Sequence, residues 1–419
     1  MLGKTNISTV EKGVIVSDIE DYSWLSANIQ SVNETFIKVI YANNVLVAIT
    51  ENGTVACTKD GENWECKKLE LENGDFFELT DIVYGNGKYV IVGYHTDQET
   101  YIHGLIVTTA DLIEYQIKTS AETEEYFNSS SLYTKFVSVS VVDNSFVICY
   151  IGCKKISSTS KMEVSIYAAF TDMKDTTTIN QIDSGIEVEN SRINFKNITE
   201  NTTFQIAKKT NGDFIYYRKT CYNNKYFHSL YVSNKGTGFR NLIPVDLSEA
   251  VMGHTNLSAD LFSVFECKDN LYSASNTSYL DYEVAKIIGG TEKVAISTNI
   301  IYEFVNATYF DKCEVFINSH EMLVVKRGES LENKTLQDMV EITYDFSMKY
   351  IVKAFNKMYI FGTGGNILVS SNENRNEDSL AVQTMSAMRA LYDAKIYTNE
   401  KYEELDTRLT ELERQLTNT

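Results

Sequence analysis

The sequence predicts an all-β propeller followed by a C-terminal α-helical coiled-coil segment. Three observations predict it. A strand–turn–strand unit recurs seven times, its turns fall at Asn44, Asn86, Asn144, Gly212, Asn270, Lys312 and Lys357, and the strand pattern gives way to a helical period after Ser371. The turns are 42, 58, 68, 58, 42 and 45 residues apart. About 40 to 50 residues is the period of one four-stranded blade, so the longer spacings read as insertions. Seven blades is the expected number, with six or eight as the alternatives.

At the N-terminus, residues 1–12 read as an arm, and the propeller is expected over 13–371. Gly13–Asp18 and Trp24 look like the outer part of a blade whose inner strands are missing. The C-terminal copy, Tyr350–Phe361 followed by Gly365–Ser370, has inner strands and no outer segment. One completes the other, and such a shared blade removes the open sheet edges that invite aggregation.

In the first complete unit, Ile37, Val39 and Tyr41 alternate at the period of two that a half-buried strand requires. Val45–Ile49 reads as a strand buried on both faces. Gly53–Trp64 then supplies a third strand, the Asp60-Gly61 turn, and a tryptophan able to cover the blade's edge. Thr80–Gly93 repeats the inner pair.

The Thr58, Asp60, Gly61 and Trp64 pattern resembles the Asp-box of sialidase-like and related phage propellers. Gly104–Asp111 and Ser229–Gly236 are degraded copies. The resemblance implies a structural turn, with Asp60 as a turn residue and not a catalytic acid.

Composition narrows the function classes. A net charge of −19 opposes a polyanion, because phosphate binding needs Lys and Arg to release counterions, so no nucleic-acid partner is expected. No apolar run reaches the ~18 residues that span a bilayer, and no secretory leader is evident, so membrane insertion is not expected and synthesis in the cytoplasm is. Cys57, Cys66, Cys149, Cys153, Cys221, Cys267 and Cys313 are odd in number and contain no Cys-x-x-Cys pair, which argues for free thiols. His95, His103, His228, His254 and His320 lack metal-ligand spacing. No metal and no cofactor is expected.

A sialidase would need clustered arginines around a tyrosine nucleophile and its carboxylate partner. Before the tail there are only Arg192, Arg218, Arg240 and Arg327, so no enzyme of that kind is expected. A glycosidase using two carboxylates is the enzymatic alternative.

Blade connectivity puts the inner turns at one face and the second-to-third-strand loops, with the links between blades, at the other. The insertions near 94–104, 119–135, 151–163, 176–203, 219–228 and 240–260 all map to that second face. The candidate ligand-binding residues are the aromatics there: Tyr94, Tyr101, Tyr126, Phe127, Tyr133, Tyr222, Tyr226 and Phe227. They could stack on sugar rings or pack at a protein interface; the competing reading is that they anchor loops over the blade ends.

Residues 372–378 are a polar hinge, and 379–419 form the predicted helix. Tyr402, Leu405, Leu409, Leu412 and Leu416 are spaced 3, 4, 3 and 4 apart, a heptad seam. The same frame upstream places Met388 and Leu391 on the seam. Lys401 and Arg408 at g face Asp406 and Glu413 at e, which favours parallel homo-oligomers.

The whole chain resembles propeller-bearing tail proteins of phages and phage-tail-like bacteriocins of clostridia-like bacteria. The resemblance implies a non-enzymatic tail-fibre or baseplate appendage in a virion or tail-like particle, made in the host cytoplasm and released by lysis. It would bind a host surface glycan or surface-layer protein, and the helix would attach it to other tail or baseplate proteins. The chain shows no N-terminal fibre-attachment domain, which favours a small baseplate-mounted head. A purely structural baseplate component is the third reading.

Overall fold

The computed structural model describes residues 3–13, 23–29, 32–71, 74, 76–96, 102–119, 133–142, 145–156, 159–173, 177–181, 186–189, 195, 198, 202–208, 214–222, 225–233, 242–244, 262–267, 270–276, 282–288, 292–300, 306–310, 313–317, 321–326, 329–335 and 346–371. They are almost wholly strand. The expected hinge 372–378 and coiled coil 379–419 lie outside them, with Met388, Leu391, Tyr402, Leu405, Leu409, Leu412 and Leu416.

The N-terminal strands are β1 (Gly3–Gly13) and β2 (Ser23–Ile29). Next come four antiparallel strands, β3 (Phe36–Ala42), β4 (Val45–Thr50), β5 (Thr54–Thr58) and β6 (Asn63–Lys68). A second four-stranded sheet holds β7 (Phe76–Gly85), β8 (Lys88–Thr96), β9 (Ile102–Thr109) and β10 (Gln116–Lys118). The third, of five strands, holds β11 (Tyr133–Val142), β12 (Ser145–Lys155), β13 (Lys161–Thr171), β14 (Thr177–Gln181) and β15 (Ile186–Glu189).

Three more four-stranded sheets follow. They are β16 (Thr202–Lys208), β17 (Phe214–Tyr222), β18 (Lys225–Ser233) and β19 (Leu242–Pro244); β20 (Phe262–Cys267), β21 (Asn270–Asn276), β22 (Tyr282–Ile288) and β23 (Glu292–Ile300); and β24 (Asn306–Phe310), β25 (Cys313–Ile317), β26 (Glu321–Lys326) and β27 (Glu329–Thr335). The chain ends its described part with β28 (Met348–Ala354), β29 (Lys357–Gly362) and β30 (Asn366–Ser371).

The termini join the first and last of these groups in one nine-stranded sheet of order β28-β29-β30-β2-β1-β6-β5-β4-β3. The first residues, read as an arm, include the strand β1. Gly3–Asn6 pair with Cys66–Asn63 of β6, and Ile7–Gly13 pair with Ile29–Trp24 of β2. The physical reason is that β6 and β2 would otherwise each present a row of unpaired backbone groups.

Every predicted inner turn lies in or beside a first-to-second-strand hairpin. Asn43 and Asn44 (φ 52° and 59°), Asn86 and Gly87 (50° and 76°), and Phe355 and Asn356 (48° and 58°) occupy the left-handed region of two-residue turns whose twist matches the strands. Asn270 opens β21 opposite Cys267, while Asn144, Gly212 and Lys312 lie between paired strands and outside the described residues.

β4 is buried along its full length, as Val45–Ile49 requires. Successive sheets enclose apolar layers: Val47, Ile49, Leu79, Ile91 and Val107 between the first two, and Val90, Val92, Phe136, Ile148 and Tyr150 between the second and third. Trp64, expected over a blade edge, is instead fully buried against the last sheet, its ring 5.9 Å from that of Phe361 in a T-shaped pair. The backbone of β1 covers the edge, which leaves the indole free for the interior. The inner strands touch in sequence, β3 with β7, β7 with β11, β11 with β16, β16 with β20, β20 with β24 and β24 with β28, and β28 touches β3.

Candidate functional site

Two of the candidate aromatics meet at the end of the second and third sheets opposite their inner turns. Tyr94, near the end of β8, is half-buried and packs against the cluster containing Tyr133, Ile151 and Phe195. Its hydroxyl donates to Glu78 Oε2, and Lys135 Nζ lies 4.3 Å from its ring centroid. Tyr133, at the start of β11, is buried and stacks on Phe195 with centroids 5.0 Å apart. Both rings are engaged in packing, and one face of Tyr94 is held by a cation. Glu78 and Lys135 were not among the predicted residues; strand pairing brings Glu78 to Tyr94, and Lys135 reaches it from the neighbouring sheet.

Tyr222, Tyr226 and Phe227 lie in a hairpin and not in a long loop: Tyr222 pairs with Lys225, Cys221 with Tyr226 and Thr220 with Phe227. The 219–228 insertion is thus corrected to two strands joined by a two-residue connection, since alternating residues on either side of Asn223-Asn224 continue the ladder. Likewise β12 and β13 run 11 residues each and absorb most of the expected 151–163 insertion, and β14 and β15 occupy part of 176–203. Tyr101, Tyr126 and Phe127 lie outside the described residues.

A second polar constellation, unseen in the sequence, lies along the inner strands. Register shifts fall at 36/38 in β3, 79/81 in β7, 136/138 in β11 and 348/350 in β28. The residue after each shift is Lys38, Asp81, Ser138 or Tyr350, always four residues before the end of the inner turn's first strand. A bulge re-aims side chains and increases twist. Asp81 Oδ1 lies 3.2 Å from Lys38 Nζ, while Asp81 Oδ2 accepts the Ser138 hydroxyl at 2.7 Å and the Val139 N–H at 2.9 Å. Beside this carboxylate the Lys38 ammonium is held well above the usual lysine range, and burial pushes the Tyr350 hydroxyl up.

The Thr-x-Asp turns are also saturated. Asp60 Oδ1 accepts the Thr58 hydroxyl (2.9 Å) and the N–H groups of Glu62 (2.8 Å) and Asn63 (2.7 Å), and the Asn63 side-chain amide donates to Oδ2. Asp111 repeats the device with Thr109, Ile113 and Glu114. Burial alone would raise the Asp60 carboxyl, but these bonds, led by those from Asn63, pull it well below the carboxylate range. The N–H groups of Ile113 and Glu114 lower the exposed Asp111 carboxyl. Both aspartates are turn residues, as the sequence pattern implied.

His95 and His103 face each other across β8 and β9, with ring centroids 5.4 Å apart. Among the described residues no group of three or more His, Cys, Asp or Glu is arranged to hold a metal ion. Burial pushes the Cys57 thiol up to about 11 and the Cys66 thiol up to about 12, so neither is an activated nucleophile.

No protein-family model and no curated protein matches the sequence. Solved structures do match. The structure of YCF48 bound to D1 peptide aligns with a TM-score of 0.52 at 11% identity, covering 86% of this chain and 97% of that one. Virginiamycin B lyase from Staphylococcus aureus aligns with a TM-score of 0.50 at 7% identity, covering 84% of this chain and 99% of the lyase. The fold is that of a β-propeller. At such identities the likeness is one of fold alone, and it extends to a lyase and to a peptide-bound protein.

Proposed function

We propose that this chain is a non-enzymatic binding head, a seven-bladed propeller that serves as a phage tail or tailocin baseplate appendage and binds a host cell-surface structure. The observation that carries the non-enzymatic part is the state of four carboxylates among the described residues. Asp60 and Asp111 close turns, and Asp81 bridges three inner strands. A catalytic acid needs a carboxyl held protonated near neutral pH, and the shifts found at Asp60, Asp111 and Glu34 run the other way.

The cyclic sequence of inner-strand neighbours β3, β7, β11, β16, β20, β24 and β28 supports the seven-bladed reading. In this reading the shared sheet of β2 and β28–β30 is the closing blade. The tail, whose heptad spacing is that of a coiled-coil sequence, in this reading attaches the head to other tail or baseplate proteins and pairs copies of the chain. With a net charge of −19, a neutral glycan or a surface-layer protein is the fitting receptor class.

The test is binding of the purified chain to host cell-envelope fractions. Replacing residues 97–101 and 120–132, which link β8 to β9 and β10 to β11, with short Gly-Ser turns should abolish binding and preserve folding, because loop-closure entropy varies slowly with length. Undiminished binding moves the site elsewhere. Release of reducing sugar overturns the reading in favour of a glycosidase, and an intact head that binds no envelope fraction overturns it in favour of a structural baseplate component.

A further inference from the structure

We infer that Asp81 of β7 and Asn306 of β24, each four residues before the end of its inner strand, are register locks: the side chain crosses to the next inner strand and takes the backbone N–H one residue past the equivalent position there. Two separate junctions show it. Asp81 of β7 accepts the N–H of Val139 of β11 at 2.9 Å, and Asn306 of β24 accepts the N–H of Ile351 of β28 at 3.0 Å. Counting back from the strand ends Gly85 and Phe310, the two acceptors hold the same place. Val139 and Ile351 each follow that place in their own strands, at Ser138 and Tyr350.

The need arises from topology. An innermost strand has a sheet neighbour on one side only, so half of its backbone donors face away from the ladder and require another acceptor. A short side chain with a carboxylate or amide oxygen supplies one and at the same time fixes how the two strands slide past each other. Apolar layers alone tolerate a two-residue slip, which keeps each side chain on its own face. A directional bond does not.

At β7 the lock is extended. Lys38 and Ser138, both at the equivalent place in the flanking inner strands, bind the two oxygens of Asp81, so β3, β7 and β11 share one carboxylate. Thr80, beside the bulge, adds a hydroxyl 3.0 Å from the Phe136 carbonyl oxygen of β11. The device therefore joins β3, β7 and β11 into one run and, independently, β24 to β28.

Amide hydrogen exchange at Val139 and Ile351 tests it in the full chain. Asp81→Ala should accelerate exchange at Val139 by about tenfold or more and leave Ile351 unchanged, and Asn306→Ala should do the reverse. Asn306→Asp, which keeps the acceptor, should retain protection at Ile351. If both amides accelerate together in either alanine variant, the residues act only through global stability and the lock is refuted; unchanged exchange at the neighbouring amide refutes it as well. Should Asp81→Ala fail to fold, Asp81→Asn, which keeps an acceptor, should retain protection at Val139 while losing the Lys38 ion pair; loss of protection there would refute the lock. The Asn306 pair supplies the acceptor-removal arm.

Discussion

Gly61 lies directly against Tyr359: a Cβ on Gly61 would fall 2.0 Å from the tyrosine hydroxyl oxygen. The glycine sits at φ +80° in the Asp60 turn, and the tyrosine belongs to β29, so the turn of the first sheet is seated on the last strands. Burial pushes the Tyr359 hydroxyl up to about 12, in keeping with an enclosed ring.

Gly61→Ala should therefore destabilise the protein by about 2–4 kcal/mol, combining left-handed backbone strain with the displaced ring. Gly74→Ala is the control. Gly74 has φ +71° but nothing within 4 Å of an added Cβ, so it should lose only the backbone part, about 1–2 kcal/mol. Urea unfolding of the two variants checks the difference; equal losses would show that the Gly61–Tyr359 contact carries no weight.

Deleting residues 1–25 removes β1 and the first three residues of β2, breaking the stretch of sheet that joins β30 to β6. Two edges then open. The truncated chain should aggregate or melt at least several degrees lower, read by light scattering and calorimetry. A monomeric truncation of unchanged stability would show that the termini do not close the sheet.

The fold was legible because its signals are local. Val45–Ile49 is apolar throughout and buried throughout, and Asn44, Asn86 and Asn356-Lys357 announce hairpins by residue type. Trp64 was found as a packing residue but assigned to the wrong place, because its partner Phe361 is almost 300 residues away in sequence. Tyr226 and Phe227 read as loop residues since their hairpin carries no glycine. The Asp81 network was invisible for a stronger reason: Lys38, Asp81 and Ser138 become neighbours only through bulges, and a bulge leaves no composition signal.

The heptad seam predicts the outcome of a charge pair placed within it. In the proposed reading, in which the Tyr402–Leu416 heptad seam pairs copies of the chain, Leu409→Asp with Leu412→Asp should cost several kcal/mol of association, because a carboxylate placed in such a seam would lack a partner. Sedimentation should show loss of self-association, and the propeller should melt as before. The same sedimenting species in both proteins would remove this seam as the association element.

Acid should weaken the fold through the same side chains that close its turns. The Asp60 carboxyl is depressed in the folded chain by Asn63, Glu62 and Thr58. Glu34 is depressed as well: burial would raise it, but Lys68, Thr50 and Thr54 outweigh that, and its Oε1 lies 2.5 Å from Lys68 Nζ. A depressed carboxylate contributes stability above its unfolded value of about 4, and that contribution is lost as pH falls towards the folded value. Stability should thus be level from neutral pH down to about 5 as far as these two groups are concerned, then fall below about 4. Because Asp60 is largely exposed, solvent screening limits its share to roughly 1 kcal/mol. Asp60→Asn should unfold at lower urea than the parent at pH 7, and the gap should narrow steadily as pH falls below about 4. A gap that persists undiminished in acid would show that the ionised carboxylate is not what holds the turn.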